Sequence, residues 1–223
     1  MEGKSIMLII SKELGYPSRP TGGGELPQNF TLFRNEVATP KLDGHRVLMD
    51  EDGTVFNRHM KPYTYMKDEH RQRIHHALNK QPHALSGIQD APPVYWWDIE
   101  YIHHGINEGS AVVIDCVIGE SPNWNAYDYH GRMKLYERIN VLTCTNLNTY
   151  LHGNVWRFPQ AGTTLGAITM YDTLKSNWES HQLCGPNDAY PWEGIVVQNI
   201  SEIYELTRKQ SQNRMHQVKY RFQ

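Results

Sequence analysis

Pro40-Lys41-Leu42-Asp43-Gly44-His45-Arg46 constrains this chain more than any other stretch, because it asks for a sharp reversal with a cation on either side. Gly44 frees the backbone to turn, and Leu-Asp-Gly-His is β-turn chemistry. The next residues are strand-like: His45 to Asp50, then Glu51-Asp52-Gly53, then Thr54 to Arg58, a β-hairpin with an Asp-Gly turn of its own. Lys41 is therefore expected at the end of one strand, and the hairpin is expected to return Arg58 towards it. A lysine in such a place becomes a nucleophile only if its ammonium loses its proton more easily, through desolvation or neighbouring cations. Arg46 could clamp a phosphate oxygen, and Asp43 could order the lysine or a metal-bound water. The same heptapeptide also reads as a plain turn carrying two solvated cations, so the rest of the chain decides.

At 223 residues and 39% apolar content, the chain has enough material for one sizeable domain with a normal core. Cys116, Cys144 and Cys184 are far apart, odd in number and form no Cys-x-x-Cys pair. Neither a disulfide framework nor a zinc knuckle is implied, and a reducing cytoplasm is the expected compartment. The apolar run Ile6 to Ile10 is too short for a membrane span or a signal peptide. A net charge of -2 is unusual for a protein that grips nucleic acid by its phosphates. After Glu205, however, the chain carries Arg208, Lys209, Arg214, Lys219 and Arg221 and no acid.

Residues 1–30 read as a loop-rich extension of a single domain spanning 1–223. Gly22-Gly23-Gly24 lacks the Lys-Ser/Thr of a P-loop and is expected to be flexible linker. Phe30, Leu32 and Val37 are expected to pack near the strand that delivers Lys41. Lys67 to Asn79 places Ile74, Ala77 and Leu78 on one helical face. The paired histidines of this helix and His103-His104 do not make a metal site, since adjacent residues point apart and no third ligand stands at metal spacing. Tyr95 to Ile102 reads as a strand whose Asp98 and Glu100 share one face. Acids on an apolar strand are costly to bury unless they meet a hydroxyl, a cation or a metal. Ala111 to Ile118 is a buried central strand. Met133 to Asn146 reads as a helix carrying Glu137-Arg138, Val155 to Phe158 as a short strand, and Met170 to His181 as a helix. Glu193-Gly194 opens a β-branched strand, and Gln217 to Phe222 alternates so that Lys219 and Arg221 share a face.

Together these pieces resemble, in order, the motifs of the covalent nucleotidyltransferases, the superfamily of ATP-dependent DNA ligases, RNA ligases and messenger RNA capping enzymes. Lys41-Leu42-Asp43-Gly44-His45-Arg46 looks like the motif Lys-x-Asp-Gly-x-Arg, and Phe56-Asn57-Arg58 like the arginine element that follows a short hairpin. Asp98-Ile99-Glu100 resembles Asp-Gly-Glu with isoleucine for glycine, and Ile114-Asp115 resembles Phe-Asp with the stacking aromatic replaced. Glu193-Gly194-Ile195-Val196-Val197-Gln198 resembles Glu-Gly-aliphatic-aliphatic-aliphatic-Lys with glutamine at its end. Val218-Lys219-Tyr220-Arg221 resembles the apolar-Lys-apolar-Lys strand, with arginine in second place.

The resemblance implies an α/β (α+β), ATP-grasp-like nucleotidyltransferase domain, with mostly antiparallel sheets around a nucleotide groove. It implies that Lys41 forms a lysyl-nucleotide with ATP, and that Asp43, Arg46, Arg58, Glu100, Ile114, Lys219 and Arg221 bind the nucleotide. Glu193 and Glu100 are the implied ligands of Mg2+ or Mn2+. The partner implied is a nicked duplex, DNA ahead of RNA because of the Glu137-Arg138 helix, with repair or replication as the setting. Because the sequence stops at Gln223, no OB-fold is expected after the last motif, and a protein partner supplying one is a possible arrangement. Three alternatives stay open: an RNA ligase, a GTP-dependent capping-type guanylyltransferase, and a binding module without turnover, to which Ile99, Ile114 and Gln198 point.

Overall fold

The structure is a computed structural model, and it describes residues 16–17, 20–79, 94–118, 142–143, 147, 151, 153–157, 159–182, 191–201, 206–207 and 217–223. In chain order the strands are β1 (Tyr16–Pro17), β2 (Thr21–Gly22), β3 (Glu36–Leu42), β4 (His45–Asp50), β5 (Val55–Asn57), β6 (Val94–Tyr101), β7 (Ala111–Ile118), β8 (Leu142–Thr143), β9 (Val155–Arg157), β10 (Trp192–Asn199), β11 (Leu206–Thr207) and β12 (Gln217–Arg221). Helix α1 spans Asp68–Asn79 and α2 spans Thr164–Gln182. No helix among the described residues is long and apolar enough to cross a membrane.

The strands build a four-stranded sheet, β2-β12-β10-β3, a six-stranded sheet, β5-β4-β6-β7-β9-β8, and the small pair β1-β11. Among the described residues only the β2–β12, β7–β9 and β8–β9 pairings are parallel, so these residues adopt the mostly antiparallel α+β architecture expected above. Two cores arise from the patterning. On the four-stranded sheet, Ala38, Leu42, Trp192, Ile195 and Val197 pack with Ala167, Met170, Tyr171 and Leu174 of α2, and Phe30 and Leu32 join them. On the six-stranded sheet, Val47, Met49, Trp97, Ile99, Tyr101 and Val113 pack with Ile74 and Leu78 of α1. Each fully buried Leu, Ile or Phe contributes about 1.5–3 kcal/mol, which is what drives these apolar faces together.

The hairpin β4–β5 closes as expected, with Gly53 at φ +77° and Asp50 Oδ1 accepting from the amides of Asp52 and Thr54. Three expectations are corrected. Gly22 is not free linker: it pairs with Lys219 in β2–β12, and the Gly24 carbonyl accepts from Arg221 N at 2.9 Å. Helix α2 starts six residues before the expected Met170, because Thr163 caps it, its hydroxyl accepting from Gly166 N at 3.1 Å. Leu142–Thr143, placed by periodicity in a helix, pair instead with Trp156–Arg157 of β9. Glu137-Arg138, Ile6 to Ile10 and the cations at 208, 209 and 214 lie outside the described residues.

The feature that positions the site is a β-bulge. Trp192 pairs with Leu42 and Gly194 with Lys41, so two steps along β10 match one along β3 and Glu193 is the extra residue. Gly194 is obligatory there: its φ is +152°, and a Cβ would stand 1.9 Å from the Tyr220 carbonyl oxygen. We expect Gly194→Ala to cost about 3 kcal/mol or more, seen as a lowered midpoint in urea unfolding, since the neighbour that must yield is ladder backbone. A change below about 0.5 kcal/mol would show that the bulge relaxes freely.

Candidate active site

The chain passes from one sheet to the other at the β3–β4 turn, and the site straddles this crossing. Lys41 leaves β3 of the four-stranded sheet, and Arg46 leaves β4 of the six-stranded one. Asp43 N anchors the turn to the Pro191 carbonyl at 2.8 Å. Gly44 fits because a Cβ would lie 2.8 Å from the Tyr101 carbonyl oxygen and 2.9 Å from Glu100 Cγ. The glycine of the turn thus admits β6, and with it Glu100, against the lysine's own loop.

Lys41 Nζ donates to Glu193 Oε1 and, at 3.2 Å, to the Leu42 carbonyl. Arg221 also donates to Glu193 Oε1, at 3.2 Å. Lysine and glutamate are largely enclosed, with 16% and 23% of their side chains exposed. Burial is the main reason the Lys41 pKa falls from 10.5 to about 8, and Arg221 and Lys219 push it the same way, while Glu100 and Asp43 oppose. Glu100 moves in the other sense: burial lifts its carboxyl to about 7, against the pull of Lys41 and Arg46. Burial within one cluster of charges thus brings the amine and the acid towards each other, Lys41 downwards and Glu100 upwards.

Arg46 and Asp98 form the floor. Arg46 Nε donates to Asp98 Oδ1 at 2.8 Å and its Nη2 to Oδ2, a two-pronged pair with the carboxylate completely buried. Asp98 is the residue that sequence reasoning passed over as a site residue, although its spacing of two from Glu100 was the signal. Ile114 sits half-buried in a second bulge, where Asp98 pairs with Asp115 and Ile99 with Val113. Arg58 lies just past β5, its Nε donating to His59 Nε2 at 3.2 Å, and its charge is felt by His45. The structure therefore brings Lys41, Asp43, Arg46, Glu100, Glu193, Lys219 and Arg221 into one electrostatic cluster, and sets Arg58 beside His45.

No protein-family model and no curated protein sequence matches the chain. Solved structures do. The ligase domain of LigD from M. tuberculosis superposes with a TM-score of 0.53 at 14% identity, over 94% of this chain and 59% of that domain. A Lig E DNA ligase gives 0.49 at 10% identity, over 92% of this chain and 68% of that one. Chlorella virus DNA ligase-adenylate gives 0.45 at 14%, over 92% and 67%. The fold is similar to that of the LigD ligase domain, and the chain spans 59% of that domain's length.

Two measurements check the electrostatics. In competitive acetylation read by mass spectrometry, Lys41 reactivity should rise about tenfold per pH unit and level off above pH 8, where its amine is already free. Exposed lysines with an ordinary pKa of about 10.4 should keep rising well beyond that point. A Lys41 profile that tracks theirs would mean that its ammonium is not destabilised. Arg46→Ala should cost about 3–5 kcal/mol in chemical unfolding by stranding the buried Asp98 carboxylate. Adding Asp98→Asn should recover part of that loss, and no recovery would argue against the pair.

Proposed function

We propose that this chain is a covalent nucleotidyltransferase of the polynucleotide-ligase type, which loads AMP from ATP onto Lys41 and uses it to join nucleic-acid strands. The observation that carries the reading is the Lys41 amine, buried, brought down to about pKa 8 and flanked by Glu193, Glu100, Lys219 and Arg221 on a ligase-domain fold. Having released its ammonium proton to solvent, Lys41 Nζ attacks the α-phosphorus: an N–P bond forms, the P–O bond to pyrophosphate breaks with the electron pair leaving on oxygen, and the nitrogen loses a second proton to solvent to leave the phosphoramidate. Lys219 and Arg221, on neighbouring positions of one strand face, take the triphosphate charge. Arg46 keeps its place through Asp98 and lends its charge to the same groove, while Asp43 shapes the turn.

The donor set suits a hard divalent cation. Magnesium typically takes one or two protein carboxylates together with substrate phosphates and water, and Glu193 and Glu100 are carboxylates that both interact with Lys41. The partly exposed Glu193 would hold Mg2+ or Mn2+, with Glu100 beside it, and the ion would neutralise charge on the transferring phosphoryl group. Loading of the groove would release Lys41 from its contact with Glu193. Transfer of AMP to a 5′-phosphate and its displacement by a 3′-hydroxyl complete the joining. DNA is favoured over RNA on the resemblance of the Glu137-Arg138 segment, and ATP over GTP on the ligase-type fold.

Incubation with magnesium and α-labelled ATP or GTP, beside Lys41→Ala, tests the reading. Label from ATP should remain on the denatured wild-type chain and vanish from the variant, and nicked DNA should then be sealed faster than nicked RNA. Label from GTP alone would replace the ligase reading with a capping-type guanylyltransferase. Absence of label from both nucleotides would overturn covalent transfer.

A further inference from the structure

The β3–β4 turn has a second side that the lysine chemistry does not use. His45 alternates with Arg46 along β4, so its ring leaves on the opposite face and meets a chain of other rings. It stacks on His103 with centroids 3.8 Å apart and planes 18° apart, and its Nδ1 lies 2.6 Å from the Tyr63 hydroxyl. Tyr65 is braced by the tilted ring of Tyr63 at 5.8 Å and edgewise by His45 at 6.5 Å, yet it remains 76% exposed. Tyr63 in turn packs edge-on against the buried Tyr101 at 6.2 Å, which roots the series in the core. Isolated exposed rings are ordinary, but a braced series running from the core into solvent beside a reactive lysine is a built surface.

Its chemistry selects the occupant. The stacked imidazoles lie in nearly parallel planes, so their nitrogens do not converge on a single ion. Burial, aided by the charge of His104 and Arg58 on His45 and of His45 and His104 on His103, lowers the pKa of both rings and so favours their neutral, less hydrated form. Arg58 lies exposed beside His45 as a phosphate partner. The carboxylate of Asp43 acts on Lys41, His45 and His103 alike, which ties this surface closely to the nucleophile. Flat apolar faces with an adjacent cation suit a nucleobase followed by its phosphate. An acidic or aliphatic protein segment would leave the ring faces unused.

We propose that Tyr65, His45 and His103 form a stacking platform for an unpaired or splayed base of the nucleic acid presented to Lys41. The proposal deepens the strand-joining reading and rests on it for the identity of the strand. It is tested with the full chain by titrating an oligonucleotide carrying 2-aminopurine beside a strand break, with Tyr65→Ala, Tyr65→Phe and His103→Ala compared to wild type. Lysyl-nucleotide formation is measured on the same preparations. Tyr65→Ala and His103→Ala should each weaken binding roughly tenfold and relieve the fluorescence quench. Tyr65→Phe should keep both, and all variants should label Lys41 as wild type does. Unchanged affinity and quench in Tyr65→Ala and His103→Ala, with labelling intact, overturn the platform and leave the nucleotidyltransferase reading standing. Ring-dependent binding without label from any nucleotide upholds the platform and overturns that reading, and a wild-type chain that binds no oligonucleotide overturns the platform.

Discussion

A buried ammonium is the constraint that the rest of this structure answers. Enclosing Lys41 costs its hydration, and the fold offsets that cost with the Glu193 carboxylate, a backbone carbonyl and the nearby charge of Glu100. Arg221 and Lys219 act the other way and keep the balance from restoring an ordinary lysine. The outcome is a salt-bridged lysine whose pKa nevertheless falls to about 8.

That balance depends on geometry at two glycines. Gly194 lets β12 press its backbone against β10, so the bulge can aim Glu193 at the lysine, and Gly44 lets β6 bring Glu100 against the turn. Arg46 illustrates how one charge serves two acids. Its two-pronged hold on Asp98 satisfies an acid that has no solvent, and the same guanidinium moderates Glu100. The ion pair is therefore both scaffold and part of the charge balance around Lys41 and Glu100.

Much of this was legible in the chain. Aromatic and β-branched enrichment located β6 to within a residue or two, a near-continuous apolar run located β7 at Ala111–Ile118, and the Asp-Gly pair located the β4–β5 turn. The failures have identifiable physical causes. Thr163 caps α2 ahead of the apolar periodicity, so the first turns of that helix carry little pattern to read. Leu142–Thr143 are held as a strand by β9, a partner that lies beyond any helical window. The triple glycine looked like linker because a parallel pairing with β12, almost two hundred residues away in sequence, leaves no local mark.

Residue identities alone determined which groups are available for chemistry: Lys41, Glu100, Glu193, Lys219 and Arg221 stand out by type, order and strand periodicity. They also determined the strand-rich architecture, because alternation and Gly turns act over a few residues. Tertiary structure alone decided what those groups do to one another. The pKa of Lys41, the capture of Arg46 by Asp98, the re-aiming of Glu193 and the stacking of His45 on His103 all require strands distant in sequence to meet at a given register. Electrostatic interaction and desolvation depend on distance and enclosure, and a linear chain specifies neither until it folds.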